Sequence, residues 1–278
     1  LDQLDMKNPE TTEEYYQYLK AVKEGDPNGN GEADEIPFGS TSITGIIGWL
    51  KGAWGLGNRG VKHPYIDVDP ETDEMRFFPL TDGYREMLEY VHKLYNEELI
   101  QQNIFSIDYN QVLATGSEGS YGSVVTTSTE TLFGEAGFGY VGAPQLEGPH
   151  GDKITTNVNS PLARASAFAI TSENEYPEAT VRWLDYFYSD EGAKLFFMGI
   201  EGETFEVTED GDLKYMDHIT NSADGLTMEQ ELAKYLTWLG GGYPGIVKQE
   251  LFNGAESLPS SIEATEKIEP YLIEEVWP

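Results

Sequence analysis

Asp26-Pro27-Asn28-Gly29-Asn30-Gly31-Glu32-Ala33-Asp34-Glu35 sets oxygen-bearing side chains at alternate positions around an obligatory turn. A hard cation such as Ca²⁺ takes about six to eight oxygens at roughly 2.3–2.6 Å, and an EF-hand loop supplies them from its positions 1, 3, 5, 7 and 9, with glycine at 6. Counted from Asp26, position 3 is Asn28, 5 is Asn30, 6 is Gly31, 7 is Glu32 through its carbonyl, and 9 is Asp34. The pattern asks for glutamate at position 12, where this chain has Pro37; Glu35, at position 10, is the substitute at hand. Asp, Asn, Gly and Pro also build ordinary polar turns, so a loop with no ion is the alternative. Five ligand positions in phase, with Gly31 at the bend, favour Ca²⁺. Asparagine at positions 3 and 5 lowers the ligand charge, which suits a structural site better than a sensor that opens and closes.

Before this loop, Thr11 and Glu14 stand at capping-box spacing and predict a helix with Tyr15, Leu19 and Val22 on one face and Gly25 as its stop. The ion would then staple a helix end to whatever follows Ile36-Pro37. After the loop comes Gly-rich, aromatic sequence from 39 to 60. Residues 65–68 and 75–78 read as a β-hairpin with a polar connection. Thr81-Asp82 then caps a helix whose apolar residues Tyr84, Met87, Leu88, Val91, Leu94 and Tyr95 recur at steps of three and four.

Residues 122–127 read as a short strand, 144–152 as a Pro/Gly-containing linker and candidate boundary, and 165–170 as a buried strand. Pro177 opens a helix with Val181, Leu184, Phe187 and Tyr188 inward and Trp183 in the core, and Ser189 restarts a second one. Residues 204–207 and 213–216 form another hairpin across Asp210-Gly211. The remainder reads as helical from 228 to 239, broken at 240–245 and then resumed.

The chain has 278 residues, enough for one large domain or two lobes. Lys and Arg number 17 against 49 Asp and Glu, a net charge of −32, which repels nucleic acid and anionic bilayers and suits a neutral solute better than an acidic one. Cysteine is absent, which excludes disulfides and thiolate chemistry. His63, His92, His150 and His218 are scattered without zinc-site spacing, and read as surface or helix-face residues. No segment reaches the roughly eighteen apolar residues of a membrane span, and residues 1–10 lack the basic-then-apolar build of a signal peptide.

Catalysis needs a nucleophile beside a base, paired carboxylates or a catalytic metal. The sequence has no Gly-x-Ser-x-Gly elbow and no phosphate loop, and no carboxylate stands in a distinctive motif outside the Asp26 loop. The expectation is a protein that is not an enzyme; a calcium-stabilised polysaccharide hydrolase or lyase is the alternative. A dockerin-like module is less apt, since those carry two calcium loops and here there is one. Aromatic residues make up 12% of the chain, and Trp49, Trp54, Tyr121, Trp238 and Tyr243 are the candidate solute-binding residues. Flat rings on loops offer an apolar face to a sugar while polar neighbours fix its hydroxyls.

Several stretches together resemble the extracellular solute-binding proteins, family 1, of ABC transporters, especially the sugar-binding lipoproteins. They are 11–23 with the Asp26–Glu35 loop and Ile36-Pro37, then Leu94-Tyr95-Asn96-Glu97-Glu98-Leu99-Ile100, Ala167-Phe168-Ala169-Ile170-Thr171, Pro177-Glu178-Ala179, Arg182-Trp183-Leu184-Asp185-Tyr186, Tyr188-Ser189-Asp190-Glu191-Gly192 and Gly199-Ile200-Glu201-Gly202-Glu203. The resemblance runs from Thr11 to about Tyr215. Alginate-binding relatives carry a similar calcium loop, which implies side-chain ligands at Asp26, Asn28, Asn30, Asp34 and Glu35 and a carbonyl from Glu32.

The resemblance further implies an α/β fold, the periplasmic-binding-protein-like type II bilobal fold, with a solute held between two lobes and delivered by lobe closure. On that pattern the first lobe is incomplete here. Residues 1–148 form the second lobe with the calcium loop, 149–215 a return segment contributing to the first lobe, and 216–278 C-terminal helices packing on the second lobe and hinge. The signal peptide and lipid-bearing cysteine of the family have no counterpart in this chain, so the expected location is the extracellular face of the membrane, with the lipid anchor in the full-length precursor. The expected partners are an oligosaccharide or other small solute and the permease subunits, and the expected state is a monomer.

Overall fold

The computed structural model describes residues 1–32, 34–158, 168–209, 211–236, 245 and 258–277, with only the backbone for Pro259. Two compact units share the chain: the first comprises Leu1–Thr129, Glu135–Leu162 and Pro259–Pro278, the second Glu130–Gly134 and Ala163–Leu258.

In the first unit, helix α1 (Thr12–Glu24) starts at the expected capping box. The Glu14 amide donates to Thr11 Oγ1 at 3.1 Å and the Thr11 amide to Glu14 Oε2 at 3.3 Å. Its buried residues, Tyr15, Tyr18, Leu19 and Val22, recur at steps of three and four, and Gly25 caps its end. Strand β1 (Ile36–Ser40), helix α2 (Ile43–Leu50), the hairpin of β2 (Ile66–Val68) and β3 (Met75–Phe77), helices α3 (Asp82–Asn96) and α4 (Tyr109–Ser117), and strand β4 (Tyr121–Val125) follow. Helix α5 (Thr129–Phe133) begins where this stretch of the first unit ends.

Strands β1 and β4 run parallel, with Ile36 opposite Tyr121 and Ser40 opposite Val125. A Cβ at Gly39 would run into the Tyr121 ring, so only glycine leaves room for the ring there. Helix α1 is bolted to β4 by polar contacts at its buried face: the Tyr15 and Ser123 hydroxyls lie 2.6 Å apart, and the Tyr18 hydroxyl donates to the Gly122 carbonyl at 2.5 Å. Leu19, Val22, Phe38, Ile46, Leu50, Met87 and Leu94 form the centre of the core. Burial pushes the Tyr15 hydroxyl well above its ordinary range and Tyr18 up to about 12.

Behind α2, the fully buried Asp67 of β2 accepts from Arg76 Nε at 2.7 Å, Arg76 Nη2 at 3.0 Å and the Gly57 amide at 2.7 Å. Burial also lowers the ammonium of nearby Lys51, with Asp67 acting in the opposite sense. Helix α10 (Pro259–Ile268) returns to this unit.

The second unit contains α6 (Pro177–Tyr186), α7 (Asp190–Phe197), the hairpin β5 (Phe205–Val207) with β6 (Leu213–Tyr215), α8 (Asp217–Thr220) and α9 (Met228–Leu232). Its core is Ala193, Phe197, Met198, Phe205, Leu213, Tyr215, Ile219 and Leu232.

Five sequence readings need correction. The Gly-rich stretch after residue 39 is not all loop, because packing on the core holds 43–50 as a helix in spite of Gly45 and Gly48. The expected linker at 144–152 is built into the first unit. Leu146 and Gln145 are buried, and the Thr12 amide donates to the Glu147 carbonyl at 3.0 Å. Residues 165–167 lie outside the described residues, but 168–170 are exposed and irregular rather than a buried strand. Trp183, expected in the core, is 58% exposed, as are Val181 and Tyr188 to similar degrees, because among the described residues α6 adds none to its unit's core. The helix expected over 228–239 ends at Leu232 and gives way to a turn over 233–235, while 237–244 lie outside the described residues.

Asp67→Ala leaves the Arg76 guanidinium without its buried counter-charge and is expected to cost about 3 kcal/mol or more in urea unfolding. Glu89→Ala, which removes the exposed Arg85–Glu89 pair, is expected to cost under about 0.5 kcal/mol.

Candidate functional site

The segment between α1 and β1 folds on itself through its own side chains. The Asp26 carboxylate accepts from the Asn30 amide at 3.1 Å and the Gly31 amide at 2.8 Å. Asn28 Oδ1 accepts from the Asn30 amide at 3.0 Å, and Asn30 Oδ1 from the Glu32 amide at 2.7 Å. Asn30 Nδ2 donates to Asp34 Oδ1 at 3.1 Å. The turn requires φ of 72° at Gly29 and 83° at Gly31, the left-handed region that glycine enters without penalty. Asp26, Asn28, Asn30, Glu32 and Asp34 are exposed, and the contacts above knit these five together.

Glu35 differs. Both of its carboxylate oxygens are buried without a hydrogen-bond partner, a costly state for a charge unless a cation or donor meets it. Among the described residues no three acidic or histidine side chains are gathered into a metal centre. The loop's oxygen set instead mixes three carboxylates with two asparagine carbonyls and the Glu32 backbone. All-oxygen donors, alternate spacing, a glycine bend and an orphaned buried carboxylate fit a hard divalent cation.

The expected aromatic residues divide. Trp49 is on α2 rather than a loop, half-buried, with its ring edge-on to Tyr15 at 5.2 Å and to Phe38 at 5.6 Å. Trp54 is only 6% exposed, packs on Tyr90 at 5.4 Å and keeps its indole N–H buried without a partner. Tyr121 is buried at the start of β4. Neither Trp54 nor Tyr121 presents a free ring face in this arrangement. Trp238 and Tyr243 lie outside the described residues.

Two further features of the first unit were not anticipated. Trp54 and Tyr90 border an open depression of about 340 Å³ rimmed by Thr12, Glu86, Lys93 and Glu147. The carboxyl ends of the parallel strands β1 and β4 deliver Ser40-Thr41-Ser42 and Val125-Thr126-Thr127 to one edge. Ser42 caps α2 by accepting from the Gly45 amide at 3.2 Å, and the buried Gln101 side chain accepts from the Ser40 amide at 3.2 Å. Ligands of open α/β sheets bind outside the carboxyl ends of the strands, so this hydroxyl-rich edge is the candidate solute-facing edge. Its only sequence signal was a Ser/Thr cluster following each strand.

Beside the depression, His150 Nε2 lies 2.6 Å from Glu86 Oε2, and that hydrogen bond holds the imidazole above its ordinary pKa. NMR titration is expected to find His150 raised, and Glu86→Gln to bring it down. Because the folded value is raised, the pair's small stabilising effect is complete below the unfolded histidine pKa and is lost as pH rises through the folded one.

No model of a known protein family matches the chain. It is 33% identical over 191 residues to the fructooligosaccharide ABC transporter substrate-binding protein FusA of Streptococcus pneumoniae serotype 4, a match covering 68% of this chain and 35% of that protein. It is 28% identical over 222 residues to the lipoprotein LipO of Bacillus subtilis strain 168, covering 73% and 41%. A solved structure of a FusA EF-hand mutant in complex with fructo-nystose superposes with a TM-score of 0.74 at 24% identity, covering 99% of this chain and 55% of FusA. The alginate-binding protein AlgQ2, solved without calcium ion, superposes with a TM-score of 0.73 at 20% identity, covering all of this chain and 56% of AlgQ2. The fold is therefore that of type II periplasmic-binding-like solute-binding proteins. The chain spans about half the length of these solved structures, and less of the curated relatives.

Proposed function

We propose that this chain, which belongs with the substrate-binding proteins of ABC transporters, is part of a receptor that captures an oligosaccharide without transforming it and hands it to permease subunits. The observation that carries the reading is the match to FusA, at 33% identity in sequence and across nearly the whole chain in structure. We assign the first unit to the second lobe of such a receptor and the second unit to the returning part of the first lobe. The hydroxyl-rich edge at Thr41–Ser42 and Thr126–Thr127, just past the buried Ser40, is the polar side of the solute site, with the half-buried Trp49 as its candidate ring. Trp54 and Tyr121, both buried, would reach the sugar only after a rearrangement, and Trp238 and Tyr243 complete the proposed solute-binding set. The receptor would act as a monomer at the extracellular face, held there by a lipid anchor, in keeping with the lipoprotein LipO among its relatives.

Asp26, Asn28, Asn30, the Glu32 carbonyl, Asp34 and Glu35 would hold a structural Ca²⁺. The orphaned Glu35 carboxylate supports this, as does the EF-hand of FusA. Calcium would supply the counter-charge that Glu35 lacks, while the loop's own hydrogen bonds set its shape.

Titration of the intrinsic tryptophan fluorescence with kestose, other neutral oligosaccharides and an alginate oligosaccharide is expected to give saturable binding to a neutral sugar, recovered intact by chromatography. No response to any sugar, or new products, would count against the reading. Calcium at about one hundred times its dissociation constant is expected to stabilise the fold by about 2.7 kcal/mol, seen as a higher melting temperature that a chelator reverses. Glu35→Gln is expected to remove most of that response, and a melt indifferent to calcium would sink the site.

A further inference from the structure

Hairpin β2–β3 of the first unit is closed on one side and open on the other. Its register sets Ile66 opposite Phe77 and Val68 opposite Met75, so these four side chains share one face, and Asp67 and Arg76 share the other. The Asp67 face is the closed one, with the carboxylate fully buried against the Arg76 guanidinium. On the opposite face Val68 is covered, while Ile66, Met75 and Phe77 are 37%, 77% and 50% exposed, and Leu80 just beyond them is 84% exposed.

The two edges of the hairpin differ as its faces do. The Phe78 amide donates to the Tyr65 carbonyl and the Asp69 amide to the Glu74 carbonyl. Bonded and non-bonded positions alternate in an antiparallel pair, so Met75 and Phe77 direct their amides away from β2. On the β2 edge the corresponding groups are met: Asn58 exchanges two hydrogen bonds with the Val68 backbone, at 2.7 and 3.1 Å, and the Ile66 amide donates to the His63 carbonyl at 3.3 Å. Among the described residues the Met75 and Phe77 amides meet no acceptor. An exposed edge of this kind is a template for a further strand. Beside it, the connection 69–74 carries four carboxylates, Asp69, Glu71, Asp73 and Glu74. Asp69 accepts from the Glu71 amide at 2.9 Å and the Thr72 amide at 3.2 Å, which fixes the shape of the connection, and the other three are exposed.

We infer that the outer edge of β3 is a docking site for an extended segment of a partner protein, one that alternates apolar residues with lysine or arginine. The segment adds to β3 through the Met75 and Phe77 amides, its apolar side chains cover Ile66, Met75 and Phe77, and its cations meet the carboxylates of 69–74. Strand addition of this kind draws affinity from main-chain hydrogen bonds and specificity from alternate side chains. Charge decides among the occupants. A second copy of this chain would bring another net charge of −32, and an anionic bilayer its own negative surface, to an edge already flanked by carboxylates. The inference stands apart from the sugar reading, because none of these residues belongs to the strand ends assigned to the solute.

The probe is a fluorescein-labelled heptapeptide that alternates lysine with valine, with a counterpart that carries glutamate in place of each lysine. Followed by anisotropy, the lysine peptide is expected to bind saturably and the glutamate peptide at least about tenfold more weakly. Met75→Ser removes an exposed apolar contact without touching the β2–β3 ladder and is expected to weaken the lysine peptide about tenfold. Phe105→Ser, at an exposed apolar residue outside the hairpin, is expected to leave it unchanged. Amide hydrogen exchange at Met75 and Phe77 is expected to slow by about tenfold or more when the peptide saturates the chain. Undiminished binding by Met75→Ser, or binding that leaves both amides exchanging as before, would overturn the inference, because charge alone would then account for the attraction. So would no binding of the lysine peptide, or equal binding of the glutamate peptide. Slower exchange of the same two amides in the chain alone as its concentration rises would also overturn it, since a second copy would then be the occupant.

Discussion

The pairing of β1 with β4, and the clamping of α1 across it, is the contact on which the first unit depends. Tyr15 and Tyr18 reach from α1 to Ser123 and the Gly122 carbonyl, while Gly39 makes room for the Tyr121 ring. Residues 36–40 and 121–125 are far apart in sequence, so their parallel pairing needs a crossover connection, here the long run through α2, α3 and α4. The cation-binding pattern spans the one short link in this arrangement. Asp26 follows the cap of α1 and Glu35 directly precedes β1, so anything that draws those two carboxylates together fixes the helix to the strand it packs beside. In that account the ion belongs to stability, and recognition belongs to the other end of β1.

The separation of the two proposed sites along one strand would allow a division of labour. The amino end of β1 receives the acidic loop, and its carboxyl end leads into Thr41 and Ser42, on an edge of hydroxyls shared with β4. A rigid strand with one end fastened holds the other end in place, and small polar groups on such an edge recognise a neutral polyol better than an anion in a chain of net charge −32.

What the sequence disclosed was chiefly local. The Thr11–Glu14 capping box, the α1 stripe and the Asp82–Asn96 helix are set by neighbours three or four residues apart, and both hairpins by their turns. Helix α2 has no clear sequence signal because glycine lowers its intrinsic propensity and only packing against residues distant in sequence restores it. The aromatic residues were misjudged for a related reason: Trp54 and Tyr121 look like loop residues in a Gly-rich context, yet tertiary contacts bury them. Trp183 fails in the opposite direction. Periodicity marks an apolar stripe without showing whether the fold covers it.

The most direct measurement of the central claim is an amide chemical-shift map of the chain on addition of kestose in the presence of calcium. A solute receptor built as described shows shifts concentrated at Thr41–Ser42 and Thr126–Thr127, while the loop of Asp26–Glu35 responds to calcium and not to sugar. Shifts confined to the loop, or none at the strand ends with any oligosaccharide tested, would contradict it.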